Sequence, residues 1–349
     1  MKPLRCLLAV SAALVWAPFG FGGGLPASPI EAPRPHLPGE IAMDRPSRSE
    51  GAIVVKLRLE DGEEVPLKVD TGGPETILDE SFASKLGPRI GTKPAAFAFN
   101  LRAGAQGIYR APKLYAGDTE LLTGSQVYTV KSAASASQPG KGILGMDCLR
   151  HYCIQFDFAA GKMRFLEPDH LDTNELGEPF LINMGPQGHT FFDADLLGQG
   201  KMRFLLDTGM DGPFDAMLAP KVFERLLHQY PTIGPDLYMT VPDGRAASGN
   251  IFPRVSLRGQ TYTDLWFSSV DLRPRRVKGI IGMRFLARHK ITLNFPKRTL
   301  YFKCISSAPL AAGPSASQHQ SVAPTGGRRF AQSVIGHQRR LLPVADGGP

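Results

Sequence analysis

The chain has 349 residues, of which 42% are hydrophobic and 21% charged. This is enough apolar sequence for one large or two medium folded domains, and it excludes a wholly disordered protein. The formal net charge of +8 lies largely at the ends, because Lys2 and Arg5 carry two of these charges and residues 305–349 carry three, which leaves three for residues 6–304. So small an excess excludes a surface that follows the phosphates of a nucleic acid.

The first 27 residues have the pattern of an export signal. Lys2 and Arg5 form a basic start, Cys6–Trp16 is an uncharged apolar run, and a Gly-rich stretch ends it. This run is too short for a membrane-spanning helix. We therefore expect an exported protein, in the periplasm, the cell envelope or the extracellular space, with membrane contact only if the segment stays uncleaved as an anchor.

Two further stretches have the composition of unfolded chain. Residues 28–50 are predicted to be a Pro-rich linker or a short pro-segment, and residues 305–349 a disordered tail. Within the tail, Arg328–Leu342 has the pattern of a transient basic helix, but we favour an unstructured extension. A basic cluster is interpreted as a solvated loop: Arg273, Arg275, Arg276 and Lys278.

Cysteines and histidines give little support for a disulfide framework or a metal site. Cys6 lies in the export signal, which leaves Cys148, Cys153 and Cys304. Three thiols allow at most one internal disulfide, for which Cys153 with Cys304 is our preferred pair, and free or buried thiols are the equal alternative. No His-Glu-x-x-His and no Cys-x-x-Cys motif occurs, so the sequence predicts no zinc site.

An internal repeat decides the domain organisation. The stretch Val69–Gly73 is echoed by Leu206–Met210, and Gly142–Met146 is echoed by Gly279–Met283. Both pairs are separated by 137 positions. In each copy an Asp-Thr-Gly triplet lies 72 residues before a Gly-apolar-apolar-Gly element. The chain is therefore predicted to contain two copies of one folding unit.

The two copies, at residues 51–168 and 180–304, are predicted to consist mainly of strands. The first begins with a hairpin whose second strand, from Val65 to Val69, alternates apolar residues and ends at Asp70. Short helices are predicted in four places: after Asp79, from Pro220 with Leu227 on its apolar face, after Met146 and after Met283. Closing hairpins are predicted at Ile154–Leu166 and Ile291–Phe302.

The two Asp-Thr-Gly triplets form the candidate site. An Asp directly after a buried strand lies in a low-dielectric setting, where backbone amides and a Thr hydroxyl hold its position. The following Gly lets the chain turn where a side chain would obstruct a partner loop. A single triplet commonly only starts a turn, but two triplets at equivalent positions of a duplication favour a shared site.

These residues resemble the aspartic proteases of the pepsin and retropepsin superfamily, most closely the bacterial retropepsin-like proteins with both lobes on one chain. The resemblance covers about residues 51–304 and rests on both triplets and on Ile143–Gly145 and Ile280–Gly282. It implies an all-β fold with few short helices, the bilobed acid-protease fold. In that fold two homologous, β-barrel-like lobes lie on either side of a cleft.

The resemblance also implies roles for individual residues: Asp70 and Asp207 as the catalytic dyad, with Thr71 and Thr208 interlocked beneath it and Gly72 and Gly209 in support. Two carboxyl groups at close range cannot both ionise, so the pair holds one proton. The implied activity is hydrolysis of peptide bonds in a peptide or protein substrate by a water that the dyad activates. A monomer is expected, with no metal or cofactor.

Proteins of this superfamily cover the cleft with a hairpin flap. The candidate flaps are Asn100–Tyr109, with Gly104 and Gly107 for mobility, and Pro242–Asn250, with Gly244 and Gly249. Tyr109 is interpreted either as a flap aromatic that contacts substrate or, as we favour, as a packing residue.

The chain departs from the family pattern after each triplet. The next residue is usually Ala or Ser, whereas here it is Gly73 in one copy and Met210 in the other, followed by Pro74 and Asp211. A bulky side chain or an additional acid beside the dyad would alter substrate fit or the shared pKa. A second hypothesis is therefore an exported peptide-binding or structural protein that retains the fold with weak or no catalysis.

Overall fold

Strands are the commonest regular element in the computed structural model, which describes residues 36–44, 52–94, 105–131, 140–185, 188–240, 246–272 and 276–308. The predicted export signal, the tail beyond residue 308, part of the basic loop, Gly104 and Gly244 lie outside these ranges. No helix within them is long and apolar enough to span a membrane.

The elements follow in chain order. The strands of the first half are β1 (Glu40–Ala42), β2 (Val54–Arg58), β3 (Glu64–Val69), β4 (Ile77–Asp79), β5 (Gly91–Pro94), β6 (Ala105–Arg110), β7 (Tyr115–Ala116), β8 (Thr119–Glu120), β9 (Gln126–Val130), β10 (Gly142–Leu144), β11 (Cys153–Asp157) and β12 (Lys162–Leu166). Those of the second half are β13 (Glu178–Met184), β14 (Thr190–Ala194), β15 (Met202–Leu206), β16 (Ala216–Leu218), β17 (Ile233–Thr240), β18 (Ala246–Leu257), β19 (Gln260–Ser269), β20 (Val277–Ile281), β21 (His289–Asn294) and β22 (Thr299–Cys304). The helices are α1 (Met146–Leu149), α2 (Pro220–Gln229) and α3 (Met283–Leu286), with 3₁₀ helices at Glu80–Lys85 and Thr173–Glu175.

Over the described residues these strands form two sheets. Nine strands of the first half run in the order β5-β6-β9-β4-β10-β3-β2-β7-β8. The other thirteen run in the order β1-β12-β11-β21-β22-β13-β14-β15-β20-β16-β19-β18-β17, so three strands of the first half join all those of the second. The predicted all-β fold with few short helices is confirmed.

The 137-residue offset corresponds to a repeated arrangement of strands. The hairpin before the triplet is β2–β3 in the first copy and β14–β15 in the second. In both, the second hairpin strand pairs in parallel with the strand of the Gly-apolar-apolar-Gly element, β3 with β10 and β15 with β20. Asp70 N accordingly donates to Leu144 O and Asp207 N to Ile281 O, both at 3.1 Å. The 72-residue spacing therefore separates two elements that meet beside each Asp.

The two copies join through β11 and β21, whose pairing has approximate two-fold symmetry. Gln155 lies opposite Thr292, its own counterpart 137 positions later, and Gln155 Nε2 donates to Thr292 Oγ1 at 3.0 Å. Ile154 pairs with Leu293, which is the counterpart of Phe156. The duplicated chain thus packs against itself as two copies of one subunit would.

Strand β1 lies inside the stretch 28–50 that was predicted to be a linker. It pairs antiparallel with β12 from Glu40↔Arg164 to Ala42↔Lys162, in the way that β13 pairs with β22. This part of the stretch therefore belongs to the sheet, and the first copy extends back to Glu40. Three residues at a sheet edge are too few to show the alternation by which a strand is recognised in sequence.

The short helices lie where the sequence predicted them. Asp79 caps the 3₁₀ helix Glu80–Lys85 through its side chain. Helix α2 begins at Pro220, whose fixed φ suits the first helical turn. Leu227 is 40% exposed, however, because the buried face of this helix ends at the preceding residue, Leu226.

The cysteines of the described chain are free thiols, so the preferred Cys153–Cys304 disulfide is wrong. Cys153 lies opposite Asn294 and Cys304 lies opposite His289, at the two ends of β21. The length of that strand therefore separates the two sulfurs. Burial also raises the pKa of the Cys153 thiol to about 12, which keeps it protonated and unreactive.

A buried ion pair stabilises the second copy next to its triplet loop. Arg288 and Asp215 are fully buried, and Arg288 Nη2 lies 3.2 Å from Asp215 Oδ1. Arg288 Nη1 also donates to Thr263 O at 2.7 Å and to Ser307 O at 3.0 Å. The backbone carbonyl of Asp215 accepts from Gly282 N at 3.0 Å. This backbone bond connects the segment before β16 to the Gly-apolar-apolar-Gly element, and the ion pair connects the same segment to Arg288.

We expect Asp215→Ala to lower the free energy of unfolding by about 3–5 kcal/mol, because it leaves the Arg288 charge buried without its partner. Urea denaturation followed by circular dichroism measures this change. Asp118→Ala is the matched control, since Asp118 is fully exposed in its ion pair with Arg58 and such pairs contribute little. Equal losses in the two variants would contradict this account of the pair.

Candidate active site

The two Asp-Thr-Gly loops meet at the ends of β3 and β15. Thr71 N donates to Thr208 Oγ1 at 3.0 Å, and Thr208 N donates to Thr71 Oγ1 at 3.1 Å. Each hydroxyl then donates to a carbonyl at the end of the other copy's strand, Thr71 to Leu206 O and Thr208 to Val69 O, both at 2.9 Å. Four hydrogen bonds between fully buried Thr residues and the opposite loop therefore join the copies.

Asp70 and Asp207 are brought together beside this Thr interlock, since each carboxyl group lies against the glycine of the opposite triplet. Each Oδ1 accepts from the backbone N–H groups two and three residues later, at 2.8–3.1 Å. Asp70 is 3% exposed, whereas Asp207 is partly exposed. The pair is thus held by both loops, with one member open to solvent.

The glycine of each triplet is required by the close approach of the two loops. A Cβ on Gly72 would lie 2.5 Å from Cγ of Asp207, and a Cβ on Gly209 would lie 2.4 Å from Cγ of Asp70. Non-bonded carbon atoms do not approach this closely. Any side chain at either position would push the carboxyl groups apart.

The surroundings of the pair favour its protonated form. Burial raises the pKa of both Asp70 and Asp207, and the charge of Asp70 raises the pKa of Asp207 further. The positive charge of Lys68 acts in the opposite direction on both pKa values. Because two like charges this close repel each other, we expect the pair to hold one proton and to titrate as a unit.

The residues that depart from the family pattern are accommodated without crowding the carboxyl groups. The side chain of Met210 packs against Gly282 of its own copy. The additional acid, Asp211, has its Oδ2 3.0 Å from Lys68 Nζ, so its charge is compensated. A Cβ on Gly73 would lie 3.1 Å from Asp70 Oδ2, which is tight, so glycine leaves room for the carboxylate.

Both predicted flaps rise from antiparallel hairpins, β5–β6 in the first copy and β17–β18 in the second. The residues that connect the paired strands, with Gly104 and Gly244, lie outside the described ranges. Tyr109 lies in β6, is 4% exposed, and its hydroxyl accepts from Arg89 Nε at 3.2 Å. It therefore packs at the base of its hairpin.

The two remaining flap glycines lie within paired strands and are required by packing. A Cβ on Gly107 would lie 2.7 Å from the ring of Tyr109, and a Cβ on Gly249 would lie 2.5 Å from the ring of Phe214. Each glycine thus leaves room for an aromatic ring, and its contribution to flap mobility stays a prediction.

Sequence reasoning missed Lys68. This residue is only 4% exposed, and its Nζ donates to Gly209 O in the opposite loop at 2.7 Å. The available signal was a charged residue inside the apolar strand before Asp70, where the second copy has Leu205. Among the described residues no group of three or more His, Cys, Asp or Glu side chains could hold a metal ion.

Comparison with known proteins shows similarity of fold and no match in sequence. No protein-family model and no curated protein matches the sequence. Among solved structures, the chain is similar to conglutin gamma, a basic 7S globulin from lupine seeds, with a TM-score of 0.51, 12% identity, and coverage of 77% of this chain and 95% of that one. The fold is bilobed and pepsin-like. Basic 7S globulin from soybean gives a TM-score of 0.49 at 11% identity, over 76% of this chain and 94% of that one.

We expect Thr71→Val to lower the free energy of unfolding by about 2–3 kcal/mol, because it leaves the buried Thr208 N–H and Leu206 carbonyl without their partner. Thr190→Val is the control: Thr190 is equally buried, but its hydroxyl donates to the sulfur of Met146 at 3.6 Å, a weak bond. Urea denaturation of both variants measures the difference. A loss in Thr71→Val no larger than in Thr190→Val contradicts the importance of the interlock.

Asp207→Asn should gain stability relative to the wild type as the pH rises from 4 to 8. The folded-state pKa of Asp207 is raised, so between the unfolded and folded pKa values the folded protein binds more protons, and wild-type stability falls with rising pH. Asparagine has no charge and avoids this loss. Melting temperatures across the pH range measure the effect, with the exposed Asp118→Asn as a control. A pH-independent difference for Asp207→Asn would count against the raised pKa.

Proposed function

We propose that this chain is an aspartic-type endopeptidase that hydrolyses peptide bonds with a water activated by Asp70 and Asp207. The observation that supports it is the close pair of carboxyl groups, one from each copy, held by the reciprocal Thr71–Thr208 bonds. Burying two acids against each other is unfavourable for stability. A protein that needed only the fold has no chemical requirement for such a pair.

The proposed reaction needs a pair that holds one proton. The ionised carboxyl takes a proton from water while the water oxygen attacks the peptide carbonyl carbon, and the protonated carboxyl gives its proton to the carbonyl oxygen. In the second step the C–N bond breaks as the nitrogen takes the proton that came from water. A hydroxyl of the intermediate returns a proton to the other carboxyl. One water is consumed, a carboxylic acid and an amine are formed, and the pair again holds one proton.

The surrounding fold suits an extended substrate lying between the copies. Hairpins β5–β6 and β17–β18 belong to different copies, and the proposal assigns them to covering the cleft from two sides, as in retropepsins. Exclusion of water would strengthen the action of the dyad on the substrate carbonyl. The proposal also includes a relationship to the bacterial retropepsin-like proteins. It further includes export of the chain.

A second candidate is an exported peptide-binding or structural protein with this fold and weak or no catalysis. The name of the structural neighbour favours it, because conglutin gamma is called a seed globulin and not a protease. The intact carboxyl pair favours the endopeptidase. Both candidates predict a cleft that binds peptides, so turnover is the property that separates them.

Cleavage of peptides and of a denatured protein between pH 3 and 7 tests the proposal. We expect the wild type to cleave with a bell-shaped pH dependence, and Asp70→Asn and Asp207→Asn each to lose at least roughly 10²-fold in rate, because a single carboxyl group cannot act as acid and base at once. Asp118→Asn, an exposed acid, should cleave as the wild type does. Unchanged activity in either dyad variant overturns the assignment. A wild type that binds peptides and cleaves none establishes the second candidate.

A further inference from the structure

A buried lysine lies where the two triplet loops meet. Lys68 is the second residue before Asp70, at the end of β3. Its Nζ donates to Gly209 O at 2.7 Å and lies 3.0 Å from Asp211 Oδ2, so both of these partners belong to the other copy. A lysine side chain with 4% exposure is uncommon, because desolvating an ammonium group is unfavourable unless it is paired.

This lysine breaks the two-fold symmetry of the site. Its counterpart 137 positions later is Leu205, which packs against a small apolar cluster that includes Phe191 and Val277. Each copy therefore supplies one Asp and one Thr, but only the first supplies a cation at this position. The symmetric contacts of the Thr interlock do not require this difference.

The partner of Lys68 is also connected to the dyad. Gly209 accepts from Lys68 through its carbonyl and donates its N–H to Asp207 Oδ1 at 2.8 Å. The Cα of the same glycine lies against the Asp70 carboxyl, because a Cβ there would be 2.4 Å from Asp70 Cγ. The ammonium group thus holds a residue that touches both carboxyl groups, as its counterpart Gly72 also does.

We propose that Lys68 is a positioning residue for the carboxyl pair, which fixes the Asp207 loop against the Asp70 loop and places a single positive charge beside both acids. This inference rests on the proposed function of the pair, which it deepens by naming a residue outside the two triplets. Lys68 is not itself a catalytic residue, since it contacts the loop and Asp211.

The charged groups around the pair set the sign of the expected effects. Lys68 approaches from β3, Asp211 from the loop after β15, and His189 from the segment before β14, where it interacts with the charge of Asp70. Burial lowers the pKa of His189, which favours its neutral form at neutral pH. Lys68 lowers the pKa of both acids against the opposing effect of burial. Removing its charge should therefore raise both apparent pKa values of the pair.

The test is a carboxyl ¹³C NMR titration of the Asp side chains in the full chain, with resonances assigned through Asp70→Asn and Asp207→Asn. In Lys68→Met we expect both apparent pKa values of the pair to rise by roughly 0.5–1 pH unit. Asp211→Asn removes a negative charge beside the same pair and should move them in the opposite direction. Lys68→Arg keeps the charge and should restore values close to the wild type. Lys56→Met, an exposed lysine on β2, is the matched control and should leave them unchanged.

The opposite directions of these two pKa shifts separate this proposal from a purely structural role. If Lys68 and Asp211 only stabilised the loops, Lys68→Met and Asp211→Asn would both lower stability, and the pKa values of the pair would not move in opposite directions. Pair pKa values in Lys68→Met equal to those of the wild type overturn the proposal. If the single variant does not fold because Asp211 is left unpaired, the double variant Lys68→Met/Asp211→Asn keeps the site neutral. Its pair should then titrate above that of Asp211→Asn alone, and equal values overturn the proposal.

Peptide cleavage by the same variants gives the second readout. The pH–rate profile of Lys68→Met should move to higher pH by the same amount as the pair, and that of Asp211→Asn to lower pH. A profile that does not follow the titrated pair overturns the positioning role in catalysis. If the wild type cleaves nothing while the NMR shifts occur as expected, the proposed function fails and the electrostatic role of Lys68 stands, so the two failures are distinguishable.

Discussion

The reciprocal hydrogen bonds between Thr71 and Thr208 are the constraint on which the site depends. Each Thr uses its backbone N–H and its hydroxyl toward the opposite copy, so neither loop can satisfy these groups by itself. The bonds bring the loops so close that only glycine fits at positions 72 and 209. That closeness in turn places the two carboxyl groups against each other. The parallel pairing of β3 with β10 and of β15 with β20 supports the arrangement by directing each loop toward the shared axis.

The same closeness gives the site its electrostatic character. A buried Asp70 beside a partly exposed Asp207 disfavours the charged state of the pair, which opposes stability above their ordinary pKa. Contacts elsewhere in the fold offset this, including the symmetric pairing of β11 with β21. Stability lost at a site and recovered elsewhere is the common pattern where chemistry requires a strained arrangement. Lys68 acts nearer, because it adds a compensating charge at the pair itself.

The fold of this protein does not by itself decide its function. The similarity to conglutin gamma, at 12% identity, relates the architecture and says nothing of turnover. A bilobed pepsin-like chain can bind an extended peptide without hydrolysing it. Details below the level of the fold favour hydrolysis: both acids, both Thr and both glycines are present and make the same contacts in each copy. The departures at Met210 and Asp211 are absorbed by contacts with Gly282 and Lys68.

Four features could be predicted from the residues alone: the duplication, the hairpins that end at each Asp, the cap at Asp79 and the start of α2 at Pro220. These features are local, since alternation, capping and turn chemistry act within a few residues, and the repeat compares the chain with itself. Only the tertiary structure showed that β1 belongs to the sheet, that Cys153 and Cys304 lie at opposite ends of β21, and that Lys68 reaches the other copy. The pairing of β1 and the contact of Lys68 join residues more than a hundred positions apart, and the separation of the two cysteines depends on how their strands pair with β21. No local sequence pattern encodes such pairings. The Asp pair combines both kinds of information. The repeated spacing indicated that the two acids share a site, whereas the packing of the Thr interlock sets how closely their carboxyl groups approach.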